Sequence, residues 1–191
     1  MQFINNIKSK FQFRLILSFI LIIPFSNIYS QHYTEYEVKA GYIYNFTKFI
    51  NWPEQAFDSD NENFIIGIYG KDPFGLILNM VLKGQKLLDR NWTIKYYYDV
   101  SEIDKCHILF VAKASKSELL AIFEKLKNKP VLTVGDEIEE FCERGGMINF
   151  TGKFDKKRFE INNNSALRVK LSISLKLLVL ARIISDNEIK F

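Results

Sequence analysis

The sequence is poor in the residues that most often form cross-links and metal centres: its 191 residues include two cysteines and two histidines. Two cysteines allow one intramolecular disulfide at most, which excludes a small domain held together by a disulfide framework. Nine glycines and four prolines are too few for a collagen-like repeat or a low-complexity linker. Apolar residues (48%) and aromatic residues (15%) are plentiful instead, which excludes a disordered regulator and is typical of one globular domain.

Positive charge is concentrated at the N-terminus. Residues 1–30 carry Lys8, Lys10 and Arg14 and no acidic residue, so +3 of the total charge of +4 lies there and +1 is left for residues 31–191. A domain so close to neutral does not have the strongly basic net charge that is typical of nucleic-acid-binding domains, and we therefore expect no nucleic-acid partner.

Residues 1–30 have the three-part layout of a secretory signal peptide: a basic segment (1–14), an apolar run (15–25) and a short polar segment. The apolar run is shorter than the roughly 20 residues that span a bilayer, and Pro24 interrupts it. We predict cleavage between residues 30 and 31, a periplasmic domain of residues 31–191, and no stable membrane insertion after cleavage. An uncleaved membrane anchor is the alternative.

Short apolar runs that suit buried strands alternate with segments of helical periodicity in residues 31–191. Strands are predicted at residues 64–69, 92–98, 106–111 and 131–134, with a hairpin at 147–150 and 157–161. Helices are predicted at residues 34–52, 74–82, 115–126, 136–145 and 163–184. The alternation predicts an α/β fold: a single domain with a central, mixed β-sheet flanked by helices on both faces.

Few residues carry a pattern typical of chemistry. No spacing of His and Cys supplies the three or four ligands of a metal site, so no metal is predicted. His107 lies in an apolar strand, where we expect a packed or hydrogen-bonded side chain. Residues 70–75 (GKDPFG) follow a strand but match neither the dinucleotide fingerprint nor the P-loop, and no cofactor is predicted.

Asp72 and Asp136 follow predicted strands, at the edge where open α/β sheets bind ligands. A hydrolase using these two carboxylates is therefore an alternative function. Both residues also suit a helix N-cap, a structural role that accounts for them without catalysis.

The two cysteines leave two alternatives open. Cys106 is predicted to begin a strand, and Cys142 to end a helix that returns to the same edge of the sheet. In an exported protein a Cys106–Cys142 disulfide could persist; the alternative is two separate, buried thiols.

Six segments, in this order along the exported domain, resemble the YfiR family of periplasmic regulatory proteins. They read VKAGYIYNFTKFINWP (38–53), IGIYGKDPFG (66–75), CHILFV (106–111), PVLTVGD (130–136), GGMINF (145–150) and RFEIN (158–162), the last leading to a leucine-rich SLKLLVLA. The resemblance implies a protein that is not an enzyme and that binds the extracytoplasmic part of an inner-membrane signalling protein. A diguanylate cyclase, whose inhibition lowers cyclic-di-GMP, and a sensor kinase are the implied partners.

The resemblance also implies a homodimer and redox-sensitive disulfides. Disulfide-rich members carry a cysteine close to the position where this chain has Asn149, so this chain lacks one of their cysteines. In the RFEIN segment, Arg158, Glu160 and Asn162 are candidates for binding the partner or a ligand. The structural alternative is an Arg158–Glu160 pair and a helix cap by Asn162. A small-ligand sensor is a further functional alternative.

Overall fold

The structure is a computed structural model that describes residues 34–152 and 158–185, so the predicted signal peptide lies outside the described residues. The α-helices are α1 (Glu35–Phe49), α2 (Ile77–Leu82), α3 (Lys116–Leu126), α4 (Asn163–Arg168) and α5 (Leu175–Leu178). The strands are β1 (Ile50–Asn51), β2 (Phe64–Tyr69), β3 (Trp92–Tyr97), β4 (Ile108–Val111), β5 (Leu132–Asp136), β6 (Ile148–Phe150), β7 (Phe159–Ile161), β8 (Ser172–Ile173) and β9 (Arg182–Ile183). Each predicted strand is confirmed, with ends that differ by up to two residues.

The main sheet has seven strands in the order β3-β2-β4-β5-β6-β7-β9. Neighbouring strands are parallel except β6 and β7, which are antiparallel, so the predicted mixed sheet is confirmed. Strands β1 and β8 form a separate antiparallel pair. No helix in the described part of the chain is long and apolar enough to cross a membrane.

Helices cover both faces of the sheet, as predicted. The side chains of each strand point alternately to the two faces, and both faces are apolar, so each needs a layer of helices to bury it. On one face, Phe64, Ile66, Ile108 and Phe110 belong to a large aromatic core that also contains residues of α1 and α2. On the other face, side chains of β2 and β4 pack with α3.

Helices α1 and α3 begin at the predicted capping boxes. The Thr34 hydroxyl accepts a hydrogen bond from the Glu37 amide (3.3 Å), and the Glu37 carboxylate accepts one from the Thr34 amide (2.6 Å). Ser115 and Glu118 make the same pair of bonds. Helix α1 ends at Phe49, before the predicted end, because Ile50 adopts an extended conformation and pairs with β8.

The helix predicted for residues 136–145 is wrong. Asp136 is the last residue of β5 rather than a helix cap, and residues 137–147 form a loop of turns. Glu137 and Glu140 have φ angles of 56° and 57°, which a right-handed helix excludes. The side chain of Asn149 holds the loop in place, since it accepts a hydrogen bond from the Ile138 amide (3.1 Å) and donates one to the Ile138 carbonyl (2.9 Å).

The long helix predicted for residues 163–184 is also wrong. The segment contains α4, β8, α5 and β9 in succession. The chain turns after α4 at Lys170, whose φ is 62°, and the Ser174 hydroxyl caps α5 by accepting a hydrogen bond from the Lys176 amide (3.3 Å). The apolar residues of this run are divided between short elements because β8 and β9 pair with β1 and β7.

Candidate functional site: a polar row across the sheet

Three polar side chains lie in register across β6, β7 and β9. Asn149 is the Cα partner of Glu160, and Glu160 is the Cα partner of Arg182. The strand residues on either side of Asn149 and Glu160 point to the opposite face and belong to the aromatic core. We call Asn149, Glu160 and Arg182 the polar row.

Direct contacts join the three members of the polar row. The buried Glu160 carboxylate accepts hydrogen bonds from Arg182 Nη2 (2.5 Å) and Asn149 Nδ2 (3.1 Å). Arg182 is partly exposed and also reaches the Glu143 carboxylate at 3.4 Å. Sequence reasoning suggested Arg158 as the structural partner of Glu160, but the ion pair in the structure is with Arg182.

Asn162 ties the 137–147 loop to the start of α4. Its Oδ1 accepts a hydrogen bond from the Ser165 amide (2.9 Å), so it is the N-cap of α4, which is the structural role predicted for it. Its Nδ2 donates to the carbonyl of Cys142 (2.8 Å). The Cys142 thiol in turn donates to the carbonyl of Glu160, at a sulfur–oxygen distance of 3.7 Å.

Both cysteines are free thiols and both are buried, so the structure has the second of the two predicted alternatives. Cys142 contacts β7, whereas Cys106 precedes β4. Three strand spacings separate β4 from β7, or about 14 Å, while the Cα atoms of a disulfide lie within about 7 Å of each other. Burial raises the pKa of Cys106 to about 12 and that of Cys142 well above its usual value, so both thiols are protonated at neutral pH.

A second polar cluster surrounds Lys39 on α1. The Lys39 ammonium lies 2.6 Å from Asp136, 2.5 Å from Glu35 and 2.9 Å from Glu137. The side chains of Lys39 and Asp136 are each 7% exposed. Burial alone would lower the pKa of Lys39, but the hydrogen bonds to the three carboxylates outweigh this effect and raise the pKa above its usual value. The cluster therefore fixes α1 to the end of β5 through a charged, buried contact.

Sequence reasoning missed the role of Lys39. The available signal was its position in the stripe of apolar residues around Ala40 and Ile43, because a lysine is almost never buried unless its charge is paired. The pairing itself joins residues 97 positions apart, which no local pattern indicates.

The two carboxylates of the alternative hydrolase hypothesis each have structural partners. Asp136 is held by Lys39 and accepts a hydrogen bond from the Tyr36 hydroxyl (3.2 Å). Asp72 accepts a hydrogen bond from the Phe74 amide (2.8 Å) in the turn before α2, which begins at Ile77 rather than at the predicted residue 74. Across residues 34–152 and 158–185, no group of three or more His, Cys, Asp or Glu side chains is arranged to hold a metal ion.

His107 is packed and hydrogen-bonded, as predicted. Its Nδ1 accepts a hydrogen bond from the Ile65 amide (2.9 Å), and its ring stacks on Phe57 and Phe64 at centroid distances of 4.6 and 4.9 Å. Burial lowers the pKa of His107 from 6.5 to about 4. The imidazole is therefore neutral in the folded protein at any pH well above 4.

The free energy of unfolding is expected to fall by about 3 kcal/mol as the pH drops from 6.5 to 4. In this range His107 becomes protonated in the unfolded chain but stays neutral in the folded protein. Above pH 6.5 both states are neutral at this residue, and below pH 4 both are protonated, so the effect is confined to that window. In the His107→Asn variant, which keeps an acceptor near the Ile65 amide, this part of the pH dependence should vanish. Urea unfolding at several pH values, compared between the two proteins, measures the difference. Equal pH slopes would contradict the assignment to His107.

The fold and the polar clusters together define an α/β domain with a seven-stranded mixed sheet, in which a buried ion pair fixes helix α1 and the Asn149 side chain fixes the 137–147 loop. The chain belongs to the YfiR/HmsC-like family, whose model matches residues 36–182, a range that includes the polar row and the buried Lys39–Asp136 pair. The family predicted from the six segments is thereby confirmed. No curated protein matches the chain.

Proposed function

We propose that this protein is a periplasmic regulator that binds the extracytoplasmic part of an inner-membrane signalling protein and inhibits or tunes it. A diguanylate cyclase or a sensor kinase is the partner. The observation that carries the proposal is the family match over residues 36–182, which spans the described domain from the first helix to the last strand. The role is one of binding rather than catalysis.

Export through a cleaved signal peptide is part of the proposal. The basic, apolar and polar parts of residues 1–30 support it. Sequencing the N-terminus of the exported protein tests the cleavage, and a mature chain that begins at Met1 contradicts it.

Within the RFEIN segment we assign different roles to the three candidate residues. Arg158 is exposed and directly precedes β7, so its side chain is accessible to a partner. Glu160 and Asn162 are buried, and their contacts are to Arg182, Asn149 and the 137–147 loop. We therefore assign partner contact to Arg158 and a positioning role to Glu160 and Asn162.

Capture of the membrane partner tests the proposal. The tagged protein is cross-linked in cells, the membranes are solubilised in detergent, and the captured proteins are identified by mass spectrometry. We expect enrichment of a diguanylate cyclase or sensor kinase, and a loss of capture on the order of tenfold in the Arg158→Glu variant. Lys86→Glu is the matched control, because Lys86 is also exposed and the change in charge is the same.

For a cyclase partner, deletion of the gene should raise cyclic-di-GMP. Failure to enrich any cyclase or sensor kinase, together with unchanged cyclic-di-GMP, contradicts the proposed function. Equal loss of capture in Arg158→Glu and Lys86→Glu would leave the function standing but remove the role assigned to Arg158. Light scattering on the purified protein tests the homodimer that we also propose.

A further inference from the structure

Helix α5 exposes an unusually apolar surface. The exposed fractions are 77% for Leu175, 68% for Val179 and 57% for Leu180. Backbone hydrogen bonds from the Val179 amide to the Leu175 carbonyl and from the Leu180 amide to the Leu177 carbonyl continue the helical turn beyond α5. At helical spacing, positions 175, 176, 179 and 180 therefore fall on one side of the turn, opposite the buried Leu177. We call Leu175, Lys176, Val179 and Leu180 the α5 patch.

Exposed aliphatic side chains that share one face need an explanation, because scattered single residues are ordinary but a contiguous apolar patch marks an interaction site. The neighbouring Ile183 on the edge strand β9 is also exposed. Leu177 is buried, whereas Leu175 and Leu180, two and three positions away, are exposed. Apolar residues therefore occupy the solvent-facing positions of this turn as well as the core-facing one.

The segment that carries the α5 patch is positively charged, unlike the rest of the domain. Residues 163–185 contain four basic residues, Arg168, Lys170, Lys176 and Arg182, and no acidic residue, a net charge of +4. The other residues of 31–191 contain 19 basic and 22 acidic residues, a net charge of −3. Lys170 and Lys176 are exposed and form no ion pair with any residue that the structure describes. Arg182 is paired with Glu160 and Glu143, so the cations that remain for an anionic partner are those of the exposed Arg168, Lys170 and Lys176.

The composition of the patch distinguishes between anionic partners. Binding hot spots between proteins are enriched in Trp, Tyr and Arg and depleted in Lys, Leu and Val, whereas the α5 patch consists of Leu, Val and Lys. A second copy of the chain on a two-fold axis would bring the same basic segment against itself. Aliphatic side chains that enter the acyl boundary, flanked by lysines at the headgroups, are the usual composition of a surface that lies on a membrane.

We propose that the α5 patch docks the protein reversibly onto an anionic phospholipid surface. Leu175, Val179 and Leu180 enter the boundary between headgroups and acyl chains, and Lys170 and Lys176 contact the anionic headgroups. Docking of this kind holds the protein at the plane of the membrane and is independent of the partner contact assigned to Arg158.

Vesicle sedimentation tests the proposal on the protein recovered after export, with its N-terminus determined. The vesicles are phosphatidylethanolamine with a quarter phosphatidylglycerol, and vesicles of phosphatidylcholine are the neutral comparison. We expect binding to the anionic vesicles that weakens several-fold at high salt. Leu175→Asp should lower the partition coefficient about tenfold.

Leu76→Asp is the matched control, since Leu76 is a leucine of the same exposed fraction, 77%, outside the basic segment. It should bind the vesicles as the unmodified protein does, and thermal unfolding confirms that both variants are folded. The proposal is overturned if the unmodified protein does not sediment with anionic vesicles, if it binds neutral vesicles equally well, or if the two variants behave alike.

Detergent-solubilised capture of the signalling protein contains no bilayer and tests the proposed function alone, so the two failures are distinguishable. If Leu175→Asp leaves sedimentation unchanged but abolishes that capture, the α5 patch binds a protein and the lipid proposal is overturned.

Discussion

Replacing Lys39 with methionine is expected to destabilise the protein by about 3–5 kcal/mol. Methionine fills a similar volume but carries no charge, so the Asp136 carboxylate, 7% exposed, is left buried without its cation. Removing one member of a buried ion pair costs more than the pair contributes, because the remaining charge is neither solvated nor compensated. Urea unfolding at neutral pH measures the loss.

A double-mutant cycle distinguishes this cause from a simple loss of packing. In Lys39→Met/Asp136→Asn no uncompensated carboxylate is left at position 136, so most of the lost stability should return. Glu137→Gln, at a carboxylate that is 41% exposed, should cost less than about 1 kcal/mol. If the double variant is as unstable as the sum of its single changes, charge compensation is not the reason for the effect.

Gly146→Ala is expected to destabilise the protein by about 3 kcal/mol. A Cβ atom at this position would lie 2.2 and 2.3 Å from two ring atoms of Phe141 and 2.7 Å from its carbonyl oxygen. The backbone cannot move aside easily, because the Gly146 amide donates to the Phe141 carbonyl (2.9 Å) and the Met147 amide donates to the Thr133 hydroxyl (3.0 Å). The Phe141 ring must therefore leave its position in the core.

Gly41→Ala is the opposite case and serves as the control. Gly41 lies within α1 and a Cβ there meets nothing within 4 Å, so alanine should stabilise the protein by about 0.5–1 kcal/mol. In Gly146→Ala the displaced loop should also expose Cys142, which then reacts with a thiol reagent faster than Cys106 does. Unchanged stability of Gly146→Ala, or equal reaction of both thiols, would show that the loop tolerates the added methyl group.

The strands and the capped helices could be predicted from the sequence because their determinants are local. Apolar runs such as residues 64–69 and 108–111 are buried on both faces, and Thr34 and Ser115 satisfy helix amides three residues away. The segment 163–184 could not be predicted in this way. Its apolar residues are compatible with a helix or a strand, and the choice depends on pairing with β1 and β7.

The candidate site could be predicted only in part, because its contacts are distant in sequence. Glu160 and Asn162 were found from a short motif, but the partner of Glu160 is Arg182, 22 residues further on. The 137–147 loop has the charge pattern of a helix start at Asp136 and Glu139, yet the Asn149 side chain holds Ile138 in another conformation. The conformation of this segment is therefore determined by hydrogen bonds from a neighbouring strand and not by the local signals of helix formation.

The Lys39 contact also has a consequence for the order in which the chain folds. Helix α1 is synthesised early, but the Asp136 carboxylate that compensates its buried cation follows 97 residues later, and Ile50 pairs with Ile173 near the other end of the chain. Contacts between such distant residues raise the contact order and slow folding. The N-terminal helix therefore cannot settle into its final place until most of the chain has been made. The export proposed for this protein would benefit from such a delay, because the chain stays unfolded for longer.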